Sequence, residues 1–179
     1  MINLWHDAAA GDDVPNVFNA VIEVPKGSRN KYEYHKAYGV IKLDRVLYSP
    51  THYPANYGFI PQSYFDDDDP MDVLVMMDDP VYPGVLLSAR PLGMFKMIDG
   101  GDADYKILAV AVNDPHYSDY HDLNDVPAHF LREVQHFFKV YKELQGQEVE
   151  IVGWVGLEEA KEALLYSIQL YQERFGKKT

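Results

Sequence analysis

Between residues 17 and 112 no segment is both long enough and periodic enough to be a helix, and this restricts the fold more than any other feature. Short apolar or alternating runs recur there instead, separated by turn residues. Val17 to Val24 is the first, closed by Pro25-Lys26-Gly27. Lys31 to His35 alternates, with Lys31, Glu33 and His35 on one face and two tyrosines on the other. Val40 to Leu43, Val46 to Tyr48, Tyr57 to Ile60, Val73 to Met77, Val85 to Ala89, Leu92 to Ile98 and Tyr105 to Val112 follow. With no helix-length crossover between them, these strands are expected to form a closed or nearly closed barrel rather than a βαβ sheet.

The last third changes period. Phe130, Leu131, Val134, Phe137, Phe138, Tyr141 and Leu144 recur at helical spacing and form one apolar stripe. Asp125 or Asn124 is expected to cap that helix, with Pro127 in its first turn. Val149 to Trp154 reads as one more strand, and a second helix is expected from about Leu157 to Phe175, stopped at Gly176. No repeat, low-complexity linker or boundary interrupts the chain, so residues 1–179 are expected to form one mainly β domain with packed C-terminal helices.

Composition removes several functions. The chain has 16 Lys+Arg against 28 Asp+Glu, a formal charge of −12, which repels a nucleic-acid backbone. A small anionic substrate is compatible with that charge only if metal cations or a local basic cluster neutralise it. Cysteine is absent, which excludes disulfides, thiolate metal sites and cysteine nucleophiles. The first residues lack a basic region followed by a long apolar stretch, and no apolar run is long enough for a transmembrane helix, so a cytoplasmic protein is expected.

Seven aspartates and no basic residue lie between Asp66 and Asp79. Crowded carboxylates repel one another, so the run reads either as an exposed acidic turn or as a cation site. Pro70 stiffens it, and Asp72 enters the apolar strand Val73 to Met77, where a carboxylate is poorly solvated and a divalent cation compensates. Hard oxygen ligands point to Mg²⁺, Mn²⁺ or Ca²⁺. No register of the run supplies the Gly and Glu of an EF-hand loop. Asp99, Asp102 and Asp104 surround Gly100-Gly101, a hairpin tip or a second acidic group, and Glu23 closes the first strand. His116 and His121, among further aspartates, read as a solvated connection.

The run Asp67-Asp68-Asp69-Pro70-Met71-Asp72-Val73 resembles the D-x-D-P-x-D signature of soluble family I inorganic pyrophosphatases. Further stretches agree in order and spacing: Val21-Ile22-Glu23-Val24-Pro25, Lys31-Tyr32-Glu33, Asp44-Arg45, Tyr53-Pro54-Ala55-Asn56-Tyr57-Gly58, Arg90-Pro91-Leu92-Gly93, Lys96-Met97-Ile98-Asp99, Asp104-Tyr105-Lys106, and His136-Phe137-Phe138 with Tyr141-Lys142. The resemblance implies an OB-like five-stranded β-barrel with additional strands and two packed helices. It implies hydrolysis of pyrophosphate to two orthophosphates with Mg²⁺, for which Mn²⁺ or another divalent ion substitutes. Asp67, Asp72 and Asp104 would bind the metal, with Asp72 bridging two ions, and Asp99 and Glu23 would serve ions arriving with the substrate. Asp69 would be the general base. Lys31, Arg45, Lys106, Tyr141 and Lys142 would hold phosphate oxygens, Tyr57 would sit near the nucleophile, Tyr53 would support the site, and Glu33 would act mainly through water. A histidine at the place of His136 implies a homo-oligomer, a hexamer. Two readings compete with this one: a non-catalytic divalent-cation-binding domain, which has no use for the lysines and Arg45, and a metal-dependent hydrolase of another phosphoanhydride. No P-loop glycine pattern supports the latter.

Overall fold

The runs Val73 to Met76 and Ile107 to Ala111 become strands buried on both faces, one face packing toward each of two helices, whereas the run from Val40 to Val46 is mostly exposed. The computed structural model describes residues 2–176. Its strands are β1 (Phe18–Val24), β2 (Asn30–His35), β3 (Val40–Val46), β4 (Asn56–Phe59), β5 (Asp72–Met76), β6 (Leu86–Asp99), β7 (Asp102–Ala111) and β8 (Val149–Val155). The helices are α1 (Ala128–Val140) and α2 (Leu157–Phe175). Neighbouring strands run β1-β4-β5-β7-β6, and β1 pairs again with β6, so five strands close a ring; β8 extends it along β6. The β5–β7 pair is parallel and the other pairs are antiparallel. β2 and β3 form a separate antiparallel hairpin. This is the expected OB-like barrel.

Alternate residues of one strand enter different cores. Leu74, Met76, Leu108 and Val110 join the cluster containing Val134, Phe137 and Phe138 of α1. Val73, Val75, Ile107 and Ala109 join the cluster containing Ala160 and Leu164 of α2. A third cluster collects Trp5, Val21, Tyr34, Phe59 and Tyr64, with Leu170 and Tyr171 of α2 packed against it. Among the described residues no helix is long and apolar enough to cross a membrane.

Three local expectations change. Val85 to Ala89 and Leu92 to Ile98 are parts of the single strand β6, and Val40 to Leu43 continues into Val46. Pro91 falls between the stretch of β6 that pairs with β1 and the stretch that pairs with β8, beside a register shift, where a missing N–H is tolerated. Asp125 does not cap α1. It closes a capping box with Asp122 on a 3-10 turn over Leu123–Asp125, while Pro127 occupies the α1 cap position without a side-chain hydrogen bond. Leu144 lies beyond the end of α1 and is exposed.

Candidate active site

The registers of β4, β5 and β7 bring the polar side chains together. Asp72 opens β5 and stands opposite Lys106 in the parallel β5–β7 ladder. Lys106 is 1 % exposed, and its ammonium reaches Asp72 at 2.8 Å and also pairs with Asp104, two residues earlier on β7. The Tyr57 hydroxyl, from β4, donates to Asp72. The β6–β7 turn at Gly100-Gly101, with φ of +63° and +101°, sets Asp99 opposite Asp102, two residues before Asp104. Two successive positive φ values suit glycine. Where α1 ends, Lys142 pairs with Asp99, and the Tyr141 hydroxyl lies 3.4 Å from the same carboxylate. Glu23 occupies a register shift between Ile22 and Val24 and accepts the Tyr34 N–H at 2.6 Å.

These groups surround a cavity of about 570 Å³. Its wall holds Glu23, Glu33, Asp67, Asp69, Asp72, Asp99 and Asp104 together with Lys31, Lys142, Tyr53, Tyr57 and Tyr141. Arg45 is outside the wall; it faces Lys31 across the β2–β3 ladder, pairs with Asp44, and keeps a buried Nε with no partner. Lys106 touches the cavity through the carboxylates it holds. Glu33 is half-exposed and pairs with Lys31. Tyr53 is buried, its ring 5.4 Å from Tyr57 and 4.8 Å from Phe137.

Crowding and burial shift the acidities. Burial pushes the Glu23 carboxyl up to about 8, against the pull of the Tyr34 N–H. Burial and then the Asp72 charge push Asp67 up to about 7. Burial raises Asp104 despite Lys106. Burial also raises the tyrosine hydroxyls of Tyr53, Tyr57 and Tyr141. For Lys106 burial acts downward, but Asp104 and Asp72 outweigh it and keep the ammonium charged.

The donor set fits a small hard cation. Every candidate ligand is a carboxylate oxygen, and their mutual repulsion is relieved by positive charge. Among the described residues no three carboxylate or imidazole groups converge into a closed cage.

Four of the seven aspartates of the run lie elsewhere, Asp78 and Asp79 beyond the end of β5 among them. Asp66 accepts from Tyr166 at 3.3 Å, and Asp68, at φ +66°, accepts from Tyr64; neither lines the cavity. Sequence reasoning passed over Lys36, which pairs with Asp69, because nothing local distinguishes it from a solvated hairpin lysine. It also left Asp44 without a role, although that carboxylate sits between Arg45 and Lys31.

A barrel rim that gathers carboxylates beside ammonium groups suits the class of hydrolases that act on phosphate anhydrides with divalent cations. Comparison with known proteins narrows the class. The family model described as inorganic pyrophosphatase matches residues 20–172. The inorganic pyrophosphatase of Haloferax volcanii is 48% identical over 176 residues, 98% of this chain and 99% of that protein. Soluble inorganic pyrophosphatase 1 of Arabidopsis thaliana is 48% identical over 169 residues, 94% and 80% of the two chains. The crystal structure of the Thermus thermophilus inorganic pyrophosphatase superposes with a TM-score of 0.93 at 41% identity, covering 96% of this chain and 99% of that one. The chain belongs to the inorganic pyrophosphatase family; it is an inorganic diphosphatase that hydrolyses pyrophosphate, and its family implies a divalent metal cofactor.

Proposed function

We propose that the enzyme is Mg²⁺-dependent, with Mn²⁺ able to substitute, and that the cavity beside Lys106 is where pyrophosphate is split. The observation that carries this is the meeting of Asp67, Asp69, Asp72, Asp99 and Asp104 with Lys31 and Lys142 in one cavity. A mere cation binder has no use for the lysines. Asp67, Asp72 and Asp104 would hold the metal, and Asp99 and Glu23 would serve further ions that accompany the substrate. When bound, Mg²⁺ supplies charge neutralisation of the phosphate oxygens and acidifies water. Asp69 accepts the proton of the attacking water. A carboxylate is a weak base, with an ordinary pKa of about 3.9, so it is adequate only toward water already acidified. Lys31, Arg45, Lys106 and Lys142 hold phosphate oxygens by point charge and fork, and Tyr141 adds a hydroxyl. Tyr57 orients Asp72 on the nucleophile side, Tyr53 buttresses Tyr57, and Glu33 acts through water.

The test is phosphate release from pyrophosphate and from ATP, with Mg²⁺, Mn²⁺ or EDTA. Release from pyrophosphate with Mg²⁺, none with EDTA and little from ATP is expected. Absence of release above background at neutral to alkaline pH overturns the reading. Asp69→Asn is expected to lower kcat about 100-fold or more.

Residues 1–179 act as one domain in a homo-oligomer, a hexamer, located in the cytoplasm. The exposed His136 on α1, beside the groove lined by Tyr117, Tyr120 and Phe130, supports the assembly. The name of the Arabidopsis relative, a soluble pyrophosphatase, supports the location. Sedimentation showing only monomer at micromolar protein removes the oligomer.

A further inference from the structure

We propose that Lys36 is a positioning residue for the hydrolysis, holding the Asp69 carboxylate at the wall of the cavity from a seat on Trp5. This deepens the reading of Asp69 as the base and rests on it. Lys36 directly follows β2, on the stretch 34–37 that shares the cavity wall with Asp67, Asp69 and Pro70. Its ammonium pairs with Oδ1 of Asp69. The same ammonium lies 4.6 Å from the centre of the Trp5 ring.

The seat is fixed. Trp5 is 5 % exposed, and its indole N–H donates to the Ser63 carbonyl at 2.8 Å. The Ser63 hydroxyl in turn accepts the Met71 N–H at 2.8 Å, one residue before Asp72. The Leu4 N–H donates to the Tyr34 hydroxyl at 3.0 Å. The N-terminal turn is therefore bonded both to the strand preceding Lys36 and to the segment carrying Asp69. It precedes residue 20, where the match to the family model begins.

An exposed lysine ordinarily samples many rotamers, and an exposed ion pair adds little stability. Here a buried indole and a carboxylate hold one ammonium from two sides, by cation–π attraction and by charge. What the arrangement provides is geometry. Asp69 is exposed, so without a partner its carboxylate would turn between staggered positions. With Oδ1 engaged by Lys36, one orientation is favoured and Oδ2 is left free to take a proton. A base must first be in place before its acidity matters.

The experiment compares the intact enzyme with Lys36→Gln, Lys36→Arg and Asp69→Asn, each carrying Trp154→Phe so that Trp5 is the only tryptophan of the original two. Steady-state kinetics on pyrophosphate with Mg²⁺ are read beside Trp5 emission without substrate. Lys36→Gln is expected to lower kcat roughly three- to tenfold. KM is expected to stay within about twofold. Lys36→Arg should recover most of kcat. Trp5 emission should change in Lys36→Gln and return toward the original in Lys36→Arg. An unchanged kcat, a loss confined to KM, or superimposable emission spectra would overturn the proposal. Asp69→Asn separates the two claims. If it is inactive while Lys36→Gln is fully active, only the role of Lys36 falls; if it is active, the reading of Asp69 falls first.

Discussion

Burial makes Glu23 a weak acid, and at the scale of single residues this ties the metal role proposed for it to pH. Its carboxyl stands at about 8 in the fold against 4.5 ordinarily. Between those values the folded chain keeps a proton that the unfolded chain has released, so stability falls as pH rises. The favourable contribution is complete below the ordinary value and lost as pH passes through the folded one. In EDTA the melting temperature is therefore expected to decline from pH 5 to pH 8, less steeply in Glu23→Gln. The metal role proposed for Glu23 needs the carboxylate, so an ion bound there would displace that proton. Calorimetry of Mg²⁺ binding at pH 7, in two buffers of different ionisation enthalpy, should show proton release that diminishes in Glu23→Gln. The acidic run permits a second comparison. Asp67 lines the cavity, whereas Asp66 is exposed and bonded to Tyr166. Asp66→Asn should keep nearly full turnover, and Asp67→Asn should lose Mg²⁺ affinity by about tenfold or more. The opposite pattern in these two variants would shift the ligand register by one residue. The sequence places Pro70 and Asp72 well enough to choose Asp67. It cannot assign Asp66, because its tyrosine partner is chosen by packing: Tyr166 lies on α2, 100 positions away.

At the scale of elements, the close crossing of β1 and β4 sets the distance between Glu23 and Tyr57. A Cβ on Gly58 would lie 1.9 Å from the Val21 carbonyl oxygen and 2.8 Å from the Ile22 Cα, both rigid backbone atoms. Gly58→Ala must therefore separate the two strands, and a loss of about 3 kcal/mol or more is expected in urea unfolding. Helix α1 fixes the other side of the cavity. Phe138 is buried, with its ring 5.6 Å from Phe95 and 5.4 Å from Tyr141, and Lys106 lies 5.1 Å from its centre. Phe138→Ala should cost about 3–5 kcal/mol and reduce turnover together with stability, because Tyr141 and Lys106 lose a common support. Urea unfolding and kcat on the same preparation check both effects. The element types were legible because apolar runs of strand length and the stripe on α1 reflect burial directly. Their joins were less so. Pro91 reads locally as a break, yet β6 continues through it because the strand's partner on one side changes from β1 to β8 there. Asp125 reads as a helix cap, yet a local box with Asp122 wins. Partner exchange along one edge is a tertiary fact that periodicity does not carry. The convergence of Lys106 on Asp72 is likewise invisible until the parallel β5–β7 register is known.

For the whole molecule, the sign of the charge decides the order of events. The chain carries a formal −12, and seven carboxylates share the cavity wall with Lys31, Lys36 and Lys142. These three lysines are also engaged by carboxylates: Glu33, Asp69 and Asp99 respectively. Above about pH 8, where Glu23 and Asp67 have also given up their protons, an approaching pyrophosphate therefore meets a negative field until divalent cations have entered, and the same field draws those cations in. Metal should consequently precede or accompany substrate. Titration calorimetry with imidodiphosphate, a non-hydrolysable analogue, tests this without turnover. In EDTA no heat of binding is expected at millimolar analogue, whereas with Mg²⁺ in excess the affinity should improve by at least about 100-fold, since each neutralised close contact is worth more than a kcal/mol. Because the attraction for Mg²⁺ is partly long-range, raising salt from 0.05 to 0.5 M, which shortens the screening length from roughly 14 to 4 Å, should weaken Mg²⁺ binding as well. Tight analogue binding in EDTA would mean that the lysines alone reverse the field, and the carboxylates would then need a different explanation from metal binding.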